Sequence, residues 1–274
     1  MKLHRSRLLA AFVLLLAPCS AAAEDSPPAE AIAPTEVIRP FNGRDLTGFT
    51  TWLKETGHED PERTFRVTEG MIHVTGEGAG YLATNAAYRD YHVVVEYKWG
   101  EKTDGSGNVR NSGLLLHGTG PDGGAGAWKT SLEVQLAQGC EGDFIVIRGK
   151  DAEGNPIAAT LTSNTRKASD GRTRWDADGE PTNYSGRQFW WSNHEPGFKE
   201  KVDTRGANDA ASPLGEWTRV ECLCAGDRVT VKINGQTVNE AYNVFPASGQ
   251  ILLQNEGNEI YFRNFEIRPL PKTE

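Results

Sequence analysis

The stretches NSGLLLHGTG, residues 111–120, and TSLEVQLAQG, residues 130–139, decide the reading of the fold. Each alternates with the period of two that sends successive side chains to opposite faces of a strand. In the first, Leu114 and Leu116 share one face, while Gly113, Leu115 and His117 share the other. In the second, Leu132, Val134 and Leu136 make the apolar face, and Ser131, Glu133 and Gln135 point the opposite way. Two neighbouring strands are thus expected to gather an imidazole, a carboxylate and an amide on one surface.

The same texture extends outward in both directions. TFRVTEGMIHVTG, HVVVEYKW, DFIVIRG, WTRVECLCAG, RVTVKINGQTVN, GQILLQNEG and EIYFRNFEIRPL are rich in Val, Ile, Phe and Tyr and are separated by Gly, Asn and Asp. Short strands with turn signals at about eight to twelve residues are the pattern of a β-sandwich. Asn234-Gly235 is the pair favoured in a two-residue type I′ hairpin, where both central residues need positive φ. With Ala225-Gly226-Asp227 before it, this predicts a meander over residues 216–239. In GQILLQNEG, Leu252, Gln254 and Glu256 fall on the side opposite Ile251, Leu253 and Asn255. Residues 171–215 break the rhythm, and an insertion of that length in a compact domain is usually functional or mobile. We read it as a loop folded over one mouth of the sandwich, with Trp190, Trp191 and His194 as its candidate functional members.

The N-terminus has a different character. Lys2, Arg5 and Arg7 precede the apolar run LLAAFVLLLA, and SAAAED comes after it. A basic region, a short apolar region and an A-x-A site predict a secretory signal cleaved after Ala23, too short for a membrane span. A lipid anchor at Cys19 is the rival reading, which Pro18 fits poorly. Residues 24–36, Pro- and Ala-rich, read as a disordered linker, and residues 37–270 as one domain. Cleavage removes three positive charges and no acidic residue, taking the formal net charge from -8 to -11. A chain so acidic is expected to repel nucleic acid and anionic lipid. Cys140, Cys222 and Cys224 remain, an odd count that reads as buried small hydrophobes, with one bond from Cys140 left open.

Several of these stretches together resemble one family. FNGRDLTGF, EYKWG, NSGLLLHG, SLEVQLAQGCEGDF, LGEWTRVEC, VKINGQTVN and GQILLQNEGNEIYFRNFEIRPL are similar to the 3-keto-disaccharide hydrolase domain, formerly a domain of unknown function. The resemblance implies an all-β, concanavalin A-like jelly-roll sandwich in an exported protein, acting on 3-keto-glycosides. His117 stands where many members carry Arg or another residue.

If the polar sides belong to one curved sheet, His117, Glu133, Gln135, Gln254 and Glu256, with Glu96 and Lys98, line a concave sugar-binding groove near Trp128. Amides and carboxylates bind sugar hydroxyls and Trp stacks on sugar CH faces, so carbohydrate is the expected partner. Retaining glycosidases of this fold place carboxylates at E-x-D-x-E spacing; here Gln135 and Ala137 stand at the second and third places. A 3-keto-glycoside needs no such pair, because the ketone acidifies the C2 hydrogen and one base can start a β-elimination. Glu133 and His117 are the candidates for that base, with the other, Gln135 or Lys98 polarising the ketone or protonating the leaving group. A divalent metal held by His117 and a carboxylate is left open, without a tight ligand motif. The alternative is a noncatalytic carbohydrate-binding module using the same groove.

Overall fold

The computed structural model describes residues 30–185 and 197–272. Its strands form two antiparallel sheets. One is six-stranded, in the order β1 (Phe49–Leu53), β4 (Gly80–Thr84), β15 (Gln250–Asn255), β6 (Gly113–Thr119), β7 (Thr130–Gln135) and β8 (Phe144–Ile147). The other runs β10 (Thr173–Trp175), β9 (Thr160–Lys167), β14 (Gln236–Phe245), β13 (Arg228–Ile233), β12 (Thr218–Ala225), β5 (Tyr91–Trp99), β16 (Ile260–Pro269), β3 (Met71–Val74) and β2 (Phe65–Thr68), with β11 (Glu180–Asn183) also on β9. No helix occurs among the described residues. The architecture is the all-β sandwich that the alternation and turn spacing imply, in the jelly-roll form that the family resemblance implies.

The alternation sets the core. Leu114, Leu116, Leu132, Val134, Ile251 and Leu253 from the six-stranded sheet meet Val93, Val95, Tyr97, Val220, Cys222, Val231 and Phe262 from the larger one. Residues on the two inner faces interdigitate, which is how a sandwich buries its apolar surface. Cys140, Cys222 and Cys224 are buried free thiols. Asn234 and Gly235 take φ of 49° and 83°, and β12, β13 and β14 lie side by side, so the expected hairpin and meander are both present.

Two expectations about organisation differ from the structure. Ile32 donates to Ala87 O at 2.9 Å and accepts from Arg89 N at 3.0 Å, and Ile38 exchanges backbone bonds with Ile267. Residues 32–38 are thus strapped to the sandwich by backbone pairing, which composition does not register. Within the supposed loop of residues 171–215, β10 and β11 both pair with β9. These strands read TRW and EPTN, too short and polar to show alternation.

Candidate active site

Glu133 lies near the middle of the outward face of the six-stranded sheet, opposite Leu115 on β6 and Ile145 on β8. One pleat along, Gly113 is opposite Gln135. Glycine makes room there, because a Cβ at 113 would lie 2.7 Å from Glu133 Oε1 and 2.9 Å from Gln254 Oε1 and would displace one of them. Its lack of a side chain lets the carboxylate of Glu133 lie flat across β6. Gln135 holds that carboxylate: its amide nitrogen, oriented to satisfy its neighbours, shares its two hydrogens among Glu133 Oε1 at 3.2 Å, Ser112 O at 2.9 Å and Asn111 Oδ1 at 2.8 Å. Asn111 Nδ2 donates to Glu256 Oε2, and Gln254 Nε2 donates to Glu256 Oε1 at 3.2 Å. Glu133, Gln135 and Gln254 are buried, so the network is pre-organised rather than solvated.

Glu133, Gln135, Asn111 and Glu256 floor and wall a pocket of about 510 Å³ lined also by Trp128, Ile145, Ile147 and Arg148, with Gln254 buried beside it. Arg148 Nε donates to Ala159 O at 3.3 Å, and its guanidinium lies 5.4 Å from the centre of the Tyr184 ring. The pocket does not continue along the whole sheet. Residues 120–129 fold back over it, held where Tyr81 donates to Asp122 Oδ1 at 2.5 Å and Lys129 Nζ reaches Asp122 Oδ1 at 3.0 Å and Gln250 Oε1 at 2.7 Å. Burial and the neighbouring Asp122 carboxylate push the Tyr81 phenol far above its ordinary range. Beneath this strap Tyr81, Ala83, Leu115 and Leu252 form a satellite apolar cluster packed by Trp52 and Trp128. The open groove expected from the sequence is thus a pocket around Glu133.

Gln135, Gln254, Glu256 and Trp128 gather here with Glu133, as the alternation of three strands suggested. His117 does not. The β6–β7 register shifts between Leu116 and Thr119, and His117 takes φ of 58° in that bulge, which re-aims its side chain. The imidazole turns into the core, edge-on to Tyr91 at 5.8 Å, with Nδ1 bonded to Pro246 O at 2.9 Å. Burial pushes it down to about 4, leaving it neutral at ordinary pH.

Glu96 and Lys98 are also elsewhere. Their strand, β5, sits between β12 and β16 in the larger sheet, and both side chains face outward from it. Glu96 accepts from Arg263 and Asn264, and Lys98 stands 5.1 Å from the Trp217 ring centre and 5.7 Å from that of Tyr261. Trp190, Trp191 and His194 lie outside the described residues. Two pocket residues were missed by alternation. Asn111 precedes β6 and Arg148 comes just after β8, so neither sits in a periodic run; the polar residues bounding NSG and FIVI are the signal that could have found them. Among the described residues no group of three His, Cys, Asp or Glu side chains converges as metal ligands do.

Comparisons with known proteins give the family and the fold. The family model of the 3-keto-alpha-glucoside-1,2-lyase-like domain matches residues 36–268. No curated protein matches the sequence. Among solved structures, a candidate glycosyl hydrolase from Parabacteroides distasonis ATCC 8503 is similar at TM-score 0.51 and 18% identity, covering 86% of this chain and 94% of its own. A carbohydrate-binding module from Bacillus subtilis aligns at TM-score 0.45 and 12% identity, over 81% of this chain and 96% of the module.

Proposed function

From the premise that the chain belongs to the 3-keto-alpha-glucoside-1,2-lyase-like family, we propose that it cleaves 3-keto-glycosides by elimination, with Glu133 as the base. The observation that carries this is a buried carboxylate held by Gln135 on the floor of a sugar-sized pocket, with no acidic residue at the second and third E-x-D-x-E places of its strand. A double displacement needs two carboxylates at set spacing, whereas an elimination beside a ketone begins with one.

In this reading Glu133 takes the C2 proton and the electron pair of the C–H bond moves into the enolate of the C3 ketone. Arg148 is the cation among the described pocket-lining residues, and it offsets the enolate charge. The C1–O bond then breaks, its electron pair leaves with the oxygen, and the proton from Glu133 passes to that oxygen. Water adding to the resulting double bond completes net hydrolysis. Trp128 covers an apolar sugar face, and Gln135 acts by holding Glu133, since its amide hydrogens are already engaged. His117 and Lys98 take no part. We place the mature chain outside the cytoplasm, on the basic, apolar and small-residue order of residues 1–23.

The test is incubation of the purified mature chain with 3-keto-trehalose and a 3-keto-β-glucoside, with and without chelator, monitoring release of 3-keto-glucose. Release by the wild type and its loss in Glu133→Gln is the expected result. Binding of saccharide with no release from either substrate replaces the enzyme by a carbohydrate-binding module.

A further inference from the structure

Gln254 carries an acceptor that nothing in the resting site uses. The residue is fully buried at the centre of the sheet, opposite Tyr81 on β4 and one step along β15 from the Leu253–Leu114 pair. Its amide orientation is set from one side, because Nε2 donates to Glu256 Oε1. The oxygen therefore faces the other way, into the space above Gly113. Glu133 Oε1 faces the same space, and the two oxygens lie 2.9 Å and 2.7 Å from one common point there. Gln254 Oε1 is buried without a hydrogen-bond partner.

An orphaned buried acceptor is costly and calls for an explanation. A carboxylate only accepts, so ionised Glu133 cannot satisfy it; a protonated carboxyl has one O–H to give. Glu133 gains that O–H at one moment in the reaction, after it has taken the substrate's proton.

We propose that Gln254 is a positioning residue for the protonated base: its Oε1 receives the O–H of Glu133 between proton abstraction and proton return. The inference rests on the reading of Glu133 as the base. When the C2–H bond breaks, the proton bonds to a Glu133 oxygen and turns toward Gln254, while the electron pair goes to the enolate. When the C1–O bond breaks, the Glu133 O–H breaks with it: the proton passes to the departing oxygen, its bonding pair stays on the carboxylate, and Gln254 Oε1 is left without a donor again. An acceptor available only to the neutral form favours that form, so Gln254 makes the carboxylate a stronger base. It also keeps the acid from donating back into the Gln135 network. Among the described residues the other charged groups lining this pocket are Glu256, from the β15–β16 connection, and Arg148, after β8.

The experiment compares wild type with Gln254→Met, which keeps length and loses the acceptor. Protein labelled with carbon-13 at the glutamate carboxyls is titrated by NMR, with the Glu133 signal assigned from Glu133→Gln. The expected result is a Glu133 midpoint lower by about one unit in Gln254→Met, with kcat for release of 3-keto-glucose down about tenfold and KM little changed. Gln254→Asn, which retains an acceptor, recovers part of the shift. An unchanged midpoint overturns the proposal. For the case that the Gln254 variants do not fold, the infrared difference spectrum of wild type against Glu133→Gln in acid decides: it shows a carboxylic O–H stretch lowered by donation if the proposal holds and a free O–H stretch if it does not. Absence of turnover in the wild type fails the elimination reading alone, since neither spectroscopic readout depends on turnover.

Discussion

Replacing Gly113 with Ala probes the site with a single methyl. The backbone at 113 is regular strand and lies outside the left-handed region, so the methyl is the whole perturbation. It arrives 2.7 Å from Glu133 Oε1, 2.9 Å from Gln254 Oε1 and 3.0 Å from Glu133 Cγ, where ordinary contact begins near 3.4 Å. Gln254 is locked in the sheet, so Glu133 must yield, and it moves by an appreciable fraction of an ångström. Overpacking of this kind costs about 1–3 kcal/mol of stability. Misplacing a catalytic group by such a distance lowers the rate by about 10²-fold. Thermal melts and the release of 3-keto-glucose, measured side by side, separate the two effects. The expected variant is folded, melts a few degrees lower and has kcat/KM down by about two orders of magnitude. Wild-type turnover in a folded Gly113→Ala protein refutes the placement of Glu133 as the reacting base.

Three more outcomes concern residues that serve the fold. His117 is held near pKa 4 in the folded state and titrates near 6.5 unfolded, so the unfolded chain takes up a proton first; stability falls by about 3 kcal/mol as pH drops from 6.5 to 4. Denaturant melts across that range should show the slope in wild type and lose it in His117→Asn, whose activity at permissive temperature is otherwise unchanged. Burial alone pushes the Glu259 carboxyl up, but hydrogen bonds from the Lys102 and Glu101 amides, Tyr261 and His73 outweigh it and bring it to about 2. Its contribution, about 2 kcal/mol after solvent screening, is complete above pH 4.5 and fades toward pH 2, and Glu259→Gln should abolish that acid limb in the same melts. Asp122→Ala releases Tyr81 and Lys129 together, and hydrogen exchange should rise across residues 120–129 with a stability loss of about 1–3 kcal/mol; protection equal to wild type would show that the strap is held by packing alone.

The faces of β6, β7 and β15 were legible because strand periodicity is local: Leu114, Val134 and Leu253 inward implies Leu115, Glu133 and Gln254 outward. His117 was not, since a bulge inserts one residue and reverses the face of the residues beyond it. That irregularity has no signature in HGTG beyond its glycines. Glu96 and Lys98 alternate correctly along β5, yet alternation is silent about which sheet receives a strand; that depends on pairing with β12 and β16, more than a hundred residues away. Arg148 and Asn111 lie just beyond strand ends, where side-chain direction is set by the turn. The carbohydrate-pocket reading therefore came from residue types on three strands, and its geometry from the strap and the single glycine between them.

The order of the six-stranded sheet places β15 between β4 and β6. Glu133 and Gln135 come from the middle of the chain, but Gln254 and Glu256, which complete their network, belong to β15 and the connection that leaves it for β16. A growing or partly refolded chain can form the β6–β7 hairpin early, since its contacts are local, while insertion of β15 closes a loop of more than a hundred residues and comes at a kinetic disadvantage. In the proposed reaction, competence at Glu133 is consequently a property of the finished molecule: nascent or misassembled chains present only half of the binding floor. Recovery of activity on refolding should lag behind recovery of strand content, which makes turnover a timer for the last step of folding.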